Sequence, residues 1–320
     1  MEVDPAYMRR RLGASFGIGV VSFQGPFVVA SATAYLVLDW STRASLIAGT
    51  ALSTTSLAVV YAVLIERGLT DTGIGKLLMS ATFVTDLCTA LALSAIFIKP
   101  NVWFPVFLAV SLVLILLLPR IVPWFFGRYG DRVIEPEIKL VFLSLLILMV
   151  LADESNGHAV LPAFVLGLVM SRHYQEHREE QKRLRVVAFA FLTPFFFVKG
   201  GMNVSLGAVV TNLGLLGVLL AAKMLPKIAF IYPLARRADR RHGTFTTLLM
   251  STGLTFGAIS SLYGLNAGII DKTQFSLLVS VVVLSAVVPT AIAERLFLPD
   301  AEREQRIDRR LAYAESEEYV

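Results

Sequence analysis

Residues 77–97 read LLMSATFVTDLCTALALSAIF, an apolar run with Asp86 near its middle. About twenty such residues in a helix cross the ~30 Å hydrocarbon core of a bilayer. An ionisable side chain at that depth costs about 2.5–3.5 kcal/mol on insertion scales. Membrane proteins keep such a group where it faces a cavity, a partner or an ion path. Asp86 is therefore a candidate functional residue, and the rest of the chain decides of what kind.

Outward from that run, the composition points the same way. The chain has 320 residues, 56% hydrophobic and 17% charged, against about 25% charged in an ordinary soluble domain. The spacing of apolar residues predicts ten segments: 12–38, 43–65, 77–98, 102–126, 138–152, 158–171, 185–199, 206–234, 244–268 and 274–297. Those at 158–171 and 185–199 are short, so they span with their neighbours' help or are partly re-entrant. The expectation is an all-α polytopic transmembrane bundle of about ten spans, because the alternating ten-residue strands of a β-barrel are absent. Residues 1–298 would form one membrane domain and 299–320 a short charged tail, helical or disordered. The single cysteine, Cys88, excludes an intrachain disulfide or a cysteine metal cluster and reads as a small packing residue.

The net charge of +5 follows from topology and not from nucleic acid. Of the 29 Lys and Arg, Arg43, Lys99 and Lys272 lie in one set of loops, and Lys199, Lys223 and Lys227 lie in or at the edge of spans. The others concentrate in the alternate loops, which places both termini in the cytoplasm; the expected location is the cell (inner) membrane. The start, Met1 to Pro5 followed by Arg9, Arg10 and Arg11, shows no cleavable signal.

Five polar features interrupt the apolar pattern. The first is Thr85-Asp86. The second is Ser53, Thr54, Thr55 and Ser56, which reads either as ordinary helix–helix hydrogen bonding or as an unwound cation-binding stretch. The third is the run Ser251, Thr252, Gly253, Thr255, Gly257, Ser260 and Ser261, a composition that breaks a helix where protein or water can cover the break. Two polar-interrupted spans in different parts of a chain point to a transporter site built from broken helices. The fourth is Lys223 and Lys227, four apart on one helix face with Pro226 between them. Lys227 can snorkel to the interface, whereas Lys223 falls near the midplane. The fifth is Lys199 within PFFFVKGG (194–201), read as an interfacial lysine, and Asp153, Glu154 and His158 read as a solvated loop. No P-loop, His-Glu-x-x-His or hydrolase motif occurs, and four histidines make no metal site. An enzyme is not expected, and no cofactor is.

These pieces in this order, LSTTSLAV (52–59), ATFVTDL (81–87), PFFFVKGG (194–201), Lys227 ahead of 233–237, and 249–261, resemble the bacterial monovalent cation:proton antiporter family, with its sodium/proton exchanger and potassium-efflux branches. The resemblance runs over nearly the whole chain. It implies an inverted-repeat core in which two broken helices cross beside an essential aspartate, matched by Asp86, with Lys227 as the family's basic residue and Lys223 in reserve. Two departures stand out. Thr85-Asp86 replaces the two acidic residues, or Asn-Asp, of many members. The start resembles the end of the family's third helix, so about three N-terminal helices are expected to be missing.

The mechanism expected from these residues is competition of H+ with Na+ or K+ for the one carboxylate of Asp86. Hydroxyls of Thr54, Thr55 and Thr85 and freed carbonyls would complete the oxygen shell of the transient cation. Partners are then monovalent cations, protons and the lipid bilayer, with a homodimer if the full-length protein is present. The alternatives are a sodium-coupled organic-anion transporter of related broken-helix fold, in which the lysines bind a carboxylate, and an inactive truncated membrane scaffold.

Overall fold

The computed structural model describes residues 12–97, 101–129, 135–155, 157 and 159–307. The expectations for Met1–Pro5, Arg9–Arg11, Lys99, His158 and the tail beyond 307 lie outside the described residues.

The helices are α1 Leu12–Leu36, α2 Thr42–Ser53, α3 Leu57–Glu66, α4 Gly73–Phe97, α5 Phe104–Tyr129, α6 Pro136–Glu154, α7 Val160–Glu176, α8 Arg178–Val187, α9 Thr193–Met202, α10 Leu206–Thr211, α11 Leu213–Ala238, α12 Gly243–Met250, α13 Thr255–Asn266 and α14 Lys272–Leu296. No strand occurs among the described residues. Eight helical runs among them are long and apolar enough to cross a membrane. The chain is thus an all-α, multi-pass membrane protein, but with about eight qualifying spans where ten were expected. The segments expected at 138–152 and 158–171 are helical, as α6 and α7, and fall short for different reasons. α6 carries Glu137, Lys139, Asp153 and Glu154 within 19 residues. α7 is apolar only over Val160–Met170. The segment expected to be short at 185–199 is instead part of a 24-residue run, Glu179–Met202. Pro194 lacks the N–H that an α-helix would use, and the backbone before it widens into a π-helical turn, Ala188–Leu192, where the Thr193 N–H reaches the Ala188 carbonyl.

The chain divides into two compact units, residues 90–202 and residues 2–89 with 203–320. In the first, Leu118, Val122 and Phe126 of α5, Leu148 of α6, and Leu166 and Met170 of α7 form a buried apolar cluster. The second unit holds every candidate site residue except Lys199. Its helices end where local chemistry says they should. Ser41 caps α2 by accepting from the Ala44 N–H, and Asp271 and Gln274 form a reciprocal capping box on α14. Gly68 and Gly268, at φ 64° and 65°, turn the chain out of α3 and α13 in the left-handed region open to glycine. Beyond α14, residues 301–307 are helical, and Gln305 Nε2 donates to the Gly68 carbonyl at 3.2 Å.

Two of the spans are broken. The run 42–66 stops being helical over Thr54–Ser56, and the run 243–266 does so over Ser251–Leu254. Serine and threonine hydroxyls offer the backbone bonds other than the helical ladder, and glycine adds freedom. The 12 residues of α2 rise about 18 Å, so the break falls well inside the ~30 Å core. α1 lies hard against α2: a Cβ on Gly49 would overlap Ser31 Oγ and come within 2.8 Å of the Phe27 carbonyl oxygen. The serine can rotate, but the backbone cannot. Gly49→Ala is expected to cost about 1–3 kcal/mol, the range for overpacking a tight core, read as a lower melting temperature of the detergent-solubilised protein.

Candidate functional site

The two breaks meet. A Cβ on Gly253 would stand 3.0 Å from both the Thr54 carbonyl oxygen and Thr54 Oγ1, and one on Gly257 would stand 2.9 Å from the Ala51 carbonyl oxygen. Thr55 Oγ1 donates to the Met250 carbonyl at 2.8 Å. The C-terminal ends of α2 and α12 therefore converge. Each leaves carbonyls without intrahelical donors, carrying a partial negative charge of about half a unit.

Both lysines of α11 reach this crossing, and both are fully buried. Lys227 Nζ donates to Ser22 Oγ at 2.9 Å, Thr55 Oγ1 at 2.8 Å and the Met250 carbonyl at 2.9 Å. An ammonium has three N–H donors, and here each has an acceptor. Lys227 is thus not snorkelling to an interface. Lys223 Nζ donates to the Thr54 carbonyl at 3.3 Å and sits where a Cβ of residue 253 would be. Pro226 leaves the Ala222 carbonyl of α11 without its helical donor between the two lysines.

Asp86 lies on α4 and is 6% exposed, and its Oδ1 has no hydrogen-bond partner. One turn earlier on the same face, Thr82 Oγ1 donates to Met250 Sδ at 3.5 Å, which sets this face of α4 against the end of α12. Lys227 acts electrostatically on Asp86, but no ion pair joins them among the described residues. Asp86, Lys223 and Lys227 are the ionisable side chains buried among the described residues. A buried carboxylate oxygen without a donor is costly, so an unpartnered Oδ1 beside a cationic cluster fits an atom that binds something taken from solution.

The remaining candidates divide. Thr85 Oγ1 lies 3.1 Å from the carbonyls of Gly19 and Ala81, toward α1. Thr55 Oγ1 gives its proton to Met250 and accepts from Lys227, with Ser22 Oγ at 3.2 Å, so its bonding capacity is occupied. Thr54 Oγ1 donates to the Ala51 carbonyl at 3.1 Å and keeps acceptor capacity. Ser53, Ser251 and Thr252 bond back into their own half-helices, to Thr50, Thr247 and Leu249. Ser56 caps α3 by accepting from the Val59 N–H. Thr255 opens α13 and is half-buried. Lys199 lies on α9, in the other unit. Sequence reading missed two contributors, Ser22 and the Met250 carbonyl. Ser22 is one serine in an apolar helix, 205 residues from the lysine it serves, and its one signal was burial of a hydroxyl at a depth where it needs a partner.

Comparison with known proteins finds relatives over most of the chain. The chain is 25% identical over 257 residues to "Probable Na(+)/H(+) antiporter 3" of Methanocaldococcus jannaschii, covering 76% of this chain and 66% of that protein. It is 22% identical to "Na(+)/H(+) antiporter NhaS4" of Synechocystis, covering 93% and 78%. It is 24% identical to "Glutathione-regulated potassium-efflux system protein" of Haemophilus influenzae, covering 92% of this chain and 50% of that one. The chain spans between about half and two thirds of the length of several of these relatives. The family model "Sodium/hydrogen exchanger, transmembrane" matches residues 1–297. With so nearly the whole chain matched, and two broken helices meeting beside a buried aspartate, the protein belongs to the sodium/hydrogen exchanger transmembrane family.

Proposed function

We propose that the chain is the membrane part of a secondary active transporter that exchanges a monovalent cation, Na+ or K+, for protons across the cell membrane, both termini facing the cytoplasm. One observation carries this reading: the buried Oδ1 of Asp86 has no donor, on the helix face that meets the crossing of the two broken helices. A proton and a cation are alternative ways to satisfy that atom. Binding one excludes the other, and that competition at one carboxylate is sufficient for antiport. The oxygen donors that hard monovalent cations prefer are at hand in Asp86 and in Thr54, whose hydroxyl keeps acceptor capacity. Thr55 has a different part, because its oxygen positions the Lys227 ammonium. Thr85 supports α4 against α1. Movement of the second unit's helices about the fixed site would alternate access.

The test is reconstitution of the full chain in liposomes with a preset pH gradient, followed by addition of Na+, K+ or Li+. Dissipation that depends on the cation is expected, and the cation giving the lowest half-saturation names the substrate. A folded, membrane-inserted protein that leaves the gradient intact with all three overturns the reading.

A further inference from the structure

Two buried lysines at one crossing, beside a single buried carboxylate, need separate explanations. We infer that they divide the crossing between them: Lys227 holds the C-terminal end of α12, while Lys223 is a positioning residue that holds the C-terminal end of α2 in a slot left open by Gly253. The inference rests on the antiport reading for its functional consequence and on geometry for its structural one.

The residue that caps the C-terminus of α2 is Thr54, and its carbonyl is the acceptor for Lys223. The last residue of α12 is Met250, and its carbonyl is an acceptor for Lys227. Each lysine therefore meets the negative end of a different half-helix, where a cation is stabilising. Their spacing fits this division. Four residues along α11 advance the chain by about 6 Å with little rotation about the axis, so one helix face presents two ammonium groups at two depths. Gly253 fits the scheme, since a Cβ there would collide with Lys223 Nζ and press on both the carbonyl and the hydroxyl of Thr54. The glycine in this break thus supplies room for a cation from a third helix as well as backbone freedom. Holding the Thr54 backbone also holds its hydroxyl, the oxygen proposed above as a cation ligand.

The experiment is a double-mutant cycle on the reconstituted full chain, using Lys223→Leu, Gly253→Ala and the pair, with melting temperature and exchange both recorded. Leucine is too short to reach the slot. Gly253→Ala is expected to lower the melting temperature by more when Lys223 is present than in the Lys223→Leu background, where only the 3.0 Å approaches to Thr54 remain. Should Gly253→Ala alone fail to fold, recovery in the double variant supports the slot, and failure in both counts against it. Additive effects overturn the inference. In exchange, Lys223→Leu is expected to raise the half-saturating cation concentration about tenfold with the maximal rate little changed, as one weakened ligand would; a factor of ten corresponds to about 1.4 kcal/mol. A lowered maximal rate with the half-saturating concentration unmoved would mean that Lys223 does not hold the Thr54 ligand, which also overturns the division. If the wild type exchanges nothing, the antiport reading has failed, and the melting cycle alone still decides whether Gly253 houses Lys223.

Discussion

Asp86→Asn is expected to reduce cation-dependent proton flux to that of protein-free liposomes while leaving the protein folded. The amide keeps the size and planarity of the carboxyl, so the packing around α4 is undisturbed. Oδ1 accepts no hydrogen bond in the structure, so no bond at that atom is lost. The change in stability should stay within about 1 kcal/mol, an ordinary substitution effect. Function should respond quite differently. An amide cannot take up and release a proton in the working pH range, and it offers a cation a dipole in place of a charge. Flux in liposomes and melting temperature in detergent, measured on one preparation, separate the two effects. Proton-coupled flux retained in a well-folded Asp86→Asn protein would remove the central premise of single-carboxylate exchange.

The residues that meet at the breaks were marked in the sequence because they violate its dominant rule. Lysines, threonine clusters and glycines inside apolar runs are exceptions that can be read one position at a time. Ser22 violates the rule too weakly to be noticed, and nothing local says that its hydroxyl faces Lys227. The directions of hydroxyls were equally hidden. Thr85 adjoins Asp86 in sequence, yet successive helical residues point about 100° apart, and its hydroxyl meets the Gly19 carbonyl of α1. The length of one span was misjudged for a related reason. Hydropathy measures a window's composition, whereas a helix continues through charged residues wherever its backbone bonds continue. The run Glu179–Met202 extends through Lys182, Arg183 and Arg185 into apolar sequence, so counting apolar residues alone found it short.

Lys227→Met is the second large effect, and its two readouts are expected to move in opposite senses. Removing one member of a buried charged pair commonly costs 3–5 kcal/mol, about what the loss of any strong buried interaction costs, because the other charge is left stranded. Two features of this site work against that cost. The three acceptors of the ammonium can satisfy one another without it: Thr55 Oγ1 already donates to the Met250 carbonyl, and Ser22 Oγ lies 3.2 Å from Thr55 Oγ1. Asp86, with no ion pair to Lys227, can meet the loss of the cation by binding a proton, which removes the stranded charge. Methionine fills nearly the volume of the lysine stem and carries no charge to bury. Replacing a whole buried ion pair by apolar groups is often neutral or stabilising by about 1–4 kcal/mol, and Lys227→Met with Asp86 protonated approaches that case. The melting temperature should hold or rise. Exchange should fall steeply, because a carboxylate without its neighbouring ammonium gives up its proton to a cation less readily. Combining Lys227→Met with Asp86→Asn checks the reasoning. If the single variant is destabilised and the double is not, the stranded carboxylate had remained ionised, and the proton-uptake step assigned to Asp86 is wrong. If both melt at or above the wild type while only the wild type exchanges, the ammonium's hold on the end of α12 is offset by the cost of burying it, and its net contribution is to transport.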